Sequence, residues 1–301
     1  MSNDRSDGVA PVPAGERPLG ELIEAGSRYL ARRGVAEATS VCEWLAANLL
    51  GCGRLELLTH TAAPVGEERA AILRSQLIRV AGGEPVQYVL GEWDFRDLTL
   101  TVDRRALIPR PETEQLVDIV LAAEDLWCGG APWIVDVGTG SGCIVLSLVH
   151  ERPGARLTAI DISEAALALA RENSERCGVG GRVEFRLGRG CGEFVAGSID
   201  AIVSNPPYIA SGVVLGLERH IRDHEPHTAL DGGEDGLDIV REITRDAALV
   251  LRRGGRLFYE IGDDQGSAVR DILETHGFDE IEIREDLAGK TRFALARLRG
   301  L

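Results

Sequence analysis

From Trp133 onward the chain alternates short apolar runs with amphipathic segments, and few folds accommodate that order. Residues 133–137, 157–160, 183–187, 199–203 and 256–261 have the length and near-continuous apolarity of parallel strands buried on both faces. Residues 144–149, 163–177, 237–251 and 267–276 between them carry helical periodicity, with Ser163 placed to cap the second. Residues 281–283 and 293–298 predict a closing strand pair. Strand and helix in turn imply an α/β fold, a doubly wound sheet with right-handed crossovers.

The preceding part is built differently. Leu22, Ile23, Tyr29 and Leu30 fall near a 3.6-residue period, as do Val41, Trp44, Leu45, Leu49 and Leu50, and then Ile72, Leu73, Leu77 and Ile78. Gly34, Gly51-Cys52-Gly53 and Pro64 punctuate these segments, which predicts a small bundle of three or four helices. Tyr88, Val89, Leu90, Trp93 and Phe95, then Leu98 to Val102, predict two strands around a turn at Arg96-Asp97. The first twenty residues are polar and lack an apolar signal segment. The expected organisation is therefore a disordered leader over 1–20, a helical domain over 21–84, a β-hairpin linker over 85–106 and the alternating domain over 107–301.

Charge and cysteine usage narrow the function. The net charge is −15 and no basic stripe marks a nucleic-acid partner; nearly every basic residue is arginine, Lys290 being the only lysine. No run of 18 apolar residues exists to cross a membrane. Six cysteines without a paired spacing fit reduced thiols and a cytoplasmic protein, and no metal site is expected.

Asp136-Val137-Gly138-Thr139-Gly140-Ser141-Gly142 lies between a predicted strand and helix, at the sheet edge where open α/β sheets bind ligands. Its spacing is not GxGxxG, and a loop without lysine is not a P-loop. Asp161 ends the next strand, where a carboxylate accepts from two ribose hydroxyls; alternatively it complements a helix N-terminus. Acidic loop ends disfavour a pyrophosphate and suit S-adenosylmethionine, a sulfonium cation. Asn205-Pro206-Pro207-Tyr208 follows the strand over 199–203. Two prolines leave the ladder in a fixed extended shape, aiming the Asn205 amide and nearby carbonyls at one spot. Such a clamp can accept both N–H bonds of a planar NH2 while Tyr208 offers a stacking face. The plainer alternative is a Pro-Pro turn capped by Asn205 over a buried Tyr208.

Over residues 22–298 the sequence resembles the HemK/PrmC family of N5-glutamine methyltransferases, which modify the Gly-Gly-Gln motif of peptide-chain release factors. The resemblance rests on Gly83 to Gly91, on Leu107-Ile108-Pro109-Arg110-Pro111-Glu112-Thr113-Glu114 and on Asp136 to Gly142. It continues through Asn205 to Tyr208, Glu225-Pro226, Ala229 to Gly233 and Glu260-Ile261-Gly262. It implies a Rossmann-like class I methyltransferase sheet, S-adenosyl-L-methionine as cofactor (S-adenosyl-L-homocysteine as product) and a release factor as protein partner. By position it assigns Gly138, Thr139, Gly140, Ser141, Gly142, Asp161 and Asn205 to the cofactor, with Glu112 and Thr113 closing its amino-acid end. Asn205, Pro206, Pro207 and Tyr208 would hold the glutamine, with Asn205, Pro206 and Tyr208 carrying catalysis. A cytoplasmic monomer is expected.

Two positions depart from the family pattern: Gly188-Arg189-Gly190-Cys191 stands where an acidic and a bulky residue are common, and Asp97 where glycine is common. They keep open a diverged paralogue acting on another amide or amine. NPPY also admits an adenine-N6 methyltransferase, which the acidic charge disfavours. A non-enzymatic binder of the cofactor would not need Asn205.

Overall fold

The computed structural model describes residues 16–300 and falls into two compact units, divided between Gly91 and Glu92. The leader expected over 1–20 lies outside the described residues up to position 15, and Leu19 already opens the first helix.

In the first unit, helices Leu19–Arg32, Ala38–Leu50 and Glu67–Ala81 enclose a core that includes Leu22, Leu30, Leu45, Leu73 and Leu77. The third helix buries Ala70, Leu73, Leu77 and Val80, spaced to form one stripe. Ile72 and Ile78, counted inward from the sequence, sit off that stripe and are 46% and 54% exposed. A second correction concerns residues 88–90, expected as strand. They belong to the helix Val86–Leu90, which Pro85 opens with its fixed φ and Gly91 closes at φ 79°.

In the second unit, Glu92–Phe95 and Leu98–Thr101 form the predicted hairpin. Arg96 takes the left-handed conformation at its turn, φ 53°, which costs a side chain free energy. Its contacts offset that cost. The Arg96 guanidinium donates to Asp118 at 2.7 Å and to Glu151 at 2.8 Å, and its backbone N–H donates to Glu114. The hairpin is therefore fastened to helices Pro111–Leu121 and Cys143–Glu151. Asn173 accepts from the Thr101 N–H and donates to the Thr101 carbonyl, as a backbone strand would.

The main sheet has seven strands: β1 Trp133–Val137, β2 Arg156–Asp161, β3 Val183–Leu187, β4 Ile199–Ser204, β5 Leu251–Glu260, β6 Phe278–Glu285 and β7 Thr291–Leu298. Their order is β6-β7-β5-β4-β1-β2-β3, with β7 antiparallel to both neighbours and the others parallel. Val135, Val137, Ile202, Leu257 and Tyr259 are among the buried residues of its core, with helix Asp238–Val250 packed on by Val240, Ile243 and Ala247. Strand order reverses between β1 and β4, which opens a crevice at their carboxyl ends.

Gly26 tests the close packing of the first unit. An added Cβ would lie 2.6 Å from Cys42 Sγ and 3.0 Å from a Leu77 methyl. Gly26→Ala should gain up to about 1 kcal/mol of helix propensity and lose about 1–3 kcal/mol to overpacking. A net fall in melting temperature is expected. An unchanged or raised value would show that Cys42 and Leu77 yield without cost.

Candidate active site

Three strand ends meet at the crevice and are joined by short bonds. The Ile160 carbonyl on β2 accepts from both Gly138 and Thr139 N–H at 2.9 Å, drawing the loop after β1 across β2. Ser204, last in β4, donates its hydroxyl to the Val137 carbonyl at 2.6 Å. Strand ends otherwise leave such groups without partners, and here each one fixes a neighbouring loop.

Glycines 138, 140 and 142 all have positive φ, as the sequence pattern predicts for a tight loop. Their surroundings differ. Gly138 has nothing within 4 Å of an added Cβ, whereas Gly142 is pressed against Leu146 and Ala170. Gly138, Thr139, Gly140 and Ser141 line a cavity of about 320 Å³; Gly142 does not, and serves to start the helix Cys143–Glu151. Asp161 lines the same cavity, its carboxylate accepting from Gly140 N–H at 2.9 Å and Ser163 N–H at 2.8 Å. Each oxygen keeps a lone pair for a further donor. Ser163 caps the next helix as expected, accepting from Ala166 N–H at 3.1 Å.

Asn205, Pro206 and Pro207 line the same cavity as the glycine loop. The Asn205 side-chain NH2 donates to Thr113 Oγ1 at 3.0 Å, and Thr113 in turn donates to Glu260 Oε2 at 2.7 Å. Thr113 lines the cavity and Glu112, its neighbour in the first helical turn, does not. Tyr208 is also outside the lining. Its hydroxyl is turned to Glu260 at a long 3.5 Å, and burial pushes its pKa up to about 12.

Sequence reasoning gave no role to several lining residues. Segment 105–110 forms one lip and segment 226–229 another, both tied to Glu225. The fully buried Glu225 carboxylate accepts from the Ile108 N–H at 3.2 Å and from Arg110 at 2.5 Å. The signal was two charged residues, each set against prolines, far apart in the chain. Ile162 lines the cavity and stays 55% exposed, an apolar surface beside Asp161. His227 is a lining residue; His224 instead meets Arg104 at 2.9 Å.

The arginines of the lining are all paired with carboxylates: Arg105 with Asp103 and Glu172, Arg110 with Glu225, Arg189 with Glu242. None is left over for a phosphate. Gly190, in the same departing segment as Arg189, leaves room for Asp246, whose carboxylate would be 2.6 Å from an added Cβ. The residues present therefore fit an uncharged riboside bearing a cation better than a phosphorylated cofactor.

Behind the loop, Asp136 is wholly buried and accepts from the Thr139 hydroxyl at 2.7 Å. Burial, opposed by that bond and helped by the Asp161 charge, lifts its pKa from 3.8 to about 7. The native chain thus holds this proton more tightly than the unfolded chain, and stability is lost as pH rises towards and through 7. Asp136→Asn removes the charge, so its melting temperature should exceed wild type at pH 8, by about 1 kcal/mol or more in stability. The gain should shrink as pH falls to about 4. A gain independent of pH would place the effect elsewhere.

Residues 21–91 match the PrmC N-terminal domain and residues 124–218 the methyltransferase small domain. A release factor glutamine methyltransferase of Cereibacter sphaeroides is 39% identical over 278 residues, 92% of this chain and 98% of its own length. The human MTRF1L release factor glutamine methyltransferase is 33% identical over 305 residues, 96% of this chain and 90% of the relative. Among solved structures, the hMettl16 catalytic domain in complex with a MAT2A 3'UTR hairpin superposes with a TM-score of 0.53 at 15% identity. That match covers 76% of this chain and 81% of that one, a likeness of fold alone. With relatives this similar along nearly their whole length, and with the glycine loop, the acidic strand end and Asn205-Pro206-Pro207 lining one cavity, the chain belongs to the release factor glutamine methyltransferase family.

Proposed function

We propose that this protein transfers a methyl group from S-adenosylmethionine to the side-chain amide nitrogen of a glutamine, in the Gly-Gly-Gln motif of a peptide-chain release factor. The reading is carried by one juxtaposition: Asn205-Pro206-Pro207 and the glycine loop with Asp161 line one and the same cavity. A cytoplasmic location follows from an acceptor that works on the ribosome.

Bound S-adenosylmethionine supplies an electrophilic methyl on sulfur. Asp161 would accept from the ribose hydroxyls, with Gly138 to Ser141 leaving space for close backbone approach. Ile162 would offer an apolar surface to the base. Asn205, through its amide oxygen, would accept one N–H of the glutamine amide, and a backbone carbonyl beside Pro206 the other. An amide nitrogen is a weak nucleophile because its lone pair is delocalised. Two acceptors raise electron density on nitrogen and fix its direction. Holding the reacting atoms about 3 Å apart and in line supplies much of the remaining advantage. The proton leaves after attack, so no histidine is required.

The paralogue reading had rested on Arg189 and Gly190. Arg189 is neutralised by Glu242 and Gly190 is backed by Asp246, so carboxylates stand beside this loop, supplied from helix Asp238–Val250.

Labelled methyl transfer to purified release factor, with a Gln-to-Ala acceptor as control, tests the function directly. Asp161→Ala should weaken cofactor binding by about 1.5–3 kcal/mol for each charge-assisted bond lost, read by calorimetric titration. Asn205→Ala should lower single-turnover rate by roughly 10²–10³ while leaving cofactor affinity near wild type. If Asn205 only caps a turn, the variant instead melts earlier, by about 1 kcal/mol in stability, and keeps its rate.

A further inference from the structure

An asparagine amide is chemically two-ended: its oxygen accepts and its nitrogen donates. A site that binds the N–H bonds of an acceptor amide needs the Asn205 oxygen in the cavity, because its NH2 would meet another NH2 and repel it. Pro206 and Pro207 fix the backbone but leave the amide free to turn over about its last torsion. Something else must choose the end.

The choice can be traced outward. Glu260, on the last residue of β5, is 1% exposed, and an ionised carboxylate has no proton to give. Thr113 Oγ1 lies 2.7 Å from it and must donate its single hydroxyl proton there. The Thr113 oxygen is then available only as an acceptor, and its other neighbour is Asn205 at 3.0 Å. Asn205 can satisfy it only with Nδ2. Oδ1 is left as the opposite end of a side chain that lines the cavity. Thr113 itself is 2% exposed, so water does not compete for its oxygen.

We propose that Thr113 and Glu260 are positioning residues that set the direction of the Asn205 amide. Ionised Glu260 takes the Thr113 proton, Thr113 takes an Asn205 N–H, and the Asn205 oxygen faces the acceptor. The proposal rests on the reading of Asn205 as the acceptor-binding group. It also moves Thr113 from the cofactor's amino-acid end to the support of the clamp.

The chain of bonds is reversible in principle. A protonated Glu260 can donate to Thr113, whose proton is then released towards Asn205, and the amide turns its NH2 to the cavity. The groups facing Glu260 are Thr113 and Tyr208 as hydrogen-bond partners, Arg292 from β7 as a favourable charge, Glu112 as an unfavourable one, and the buried Cys143 thiol, which burial together with the charges of Asp136 and Glu260 keeps protonated. Burial outweighs the favourable partners and brings Glu260 from 4.5 to about 7. Turnover should therefore fall as pH drops through about 7, because the carboxylate that orders the chain is lost.

The test uses the full chain with Thr113→Val, Thr113→Ser and Glu260→Gln. At pH 8, Thr113→Val should lower kcat towards release factor by roughly tenfold to a hundredfold, by analogy with partners that orient metal ligands. Its calorimetric Kd for S-adenosylmethionine should stay within about threefold of wild type, less than the loss of one hydrogen bond to a charged group would cause. Thr113→Ser should recover most of the lost rate. The Asn205 side-chain NH2 resonances, identified by their absence in Asn205→Asp, should inflect near pH 7 in the wild-type protein and lose that inflection in Glu260→Gln. An unchanged kcat in Thr113→Val, or a loss of cofactor affinity matching the loss of rate, overturns the proposal. So do Asn205 resonances indifferent to pH and to Glu260→Gln. Should Thr113→Val melt below the assay temperature, the Asn205 resonances carry the decision, because in Glu260→Gln an amide oxygen that does not titrate in this range can accept from Thr113 at every pH and the inflection should vanish. If wild type fails to methylate a release factor, the functional reading fails, while the resonances still report on the Asn205 chain without any acceptor.

Discussion

Everything at the crevice depends on how parallel strands end. Inside the sheet each backbone group has a partner, and at its edge the ladder stops while the strands remain buried. Here the Ile160 carbonyl collects two N–H groups from the loop of the neighbouring strand, and the Ser204 hydroxyl covers the Val137 carbonyl. The same bonds that remove orphaned polar groups bring the glycine loop and Asn205-Pro206-Pro207 to one cavity. Ordering of the edge and construction of the site are a single event.

The interior polar groups show what this arrangement costs. Asp136 and Glu260 are both nearly inaccessible carboxylates whose burial opposes ionisation, bringing each to about 7. Neither contributes to a core as an apolar residue of the same volume would. Each instead holds a hydroxyl, Thr139 for one and Thr113 for the other, and each hydroxyl belongs to a residue of the cavity lining. Such groups at a binding site exchange stability for fixed geometry.

The sheet was legible because parallel strands buried on both faces give short apolar runs that little else produces. The glycine loop, Asp161 and Asn205 were legible because the turn chemistry of Gly and Pro is local. What stayed hidden depends on distant partners. Ile72 looks like core until Ala70, Leu73, Leu77 and Val80 define the buried stripe. Tyr88 to Leu90 form a short apolar run that suits a strand, yet Pro85 and Gly91 bracket a single helical turn. Glu225 stands in the sequence as an acid before a proline and Glu260 as an acid at the end of an apolar strand, and no local pattern tells that both are enclosed. Nothing near Tyr208 in the sequence tells that its hydroxyl turns to Glu260, a contact 52 residues away in the chain.

The Arg110–Glu225 pair differs from the many arginine–carboxylate contacts elsewhere on this protein. Pairs such as Arg17–Glu21 or Arg219–Asp223 have both partners well exposed, so dissolved ions stand between them and weaken them. Glu225 has no exposed side-chain surface, and mobile ions cannot approach it from its own side. Raising ionic strength therefore loosens the outer shell of charge first and leaves the two lips of the cavity joined. In concentrated electrolyte this molecule would lose its surface ties while the mouth of its crevice kept its shape.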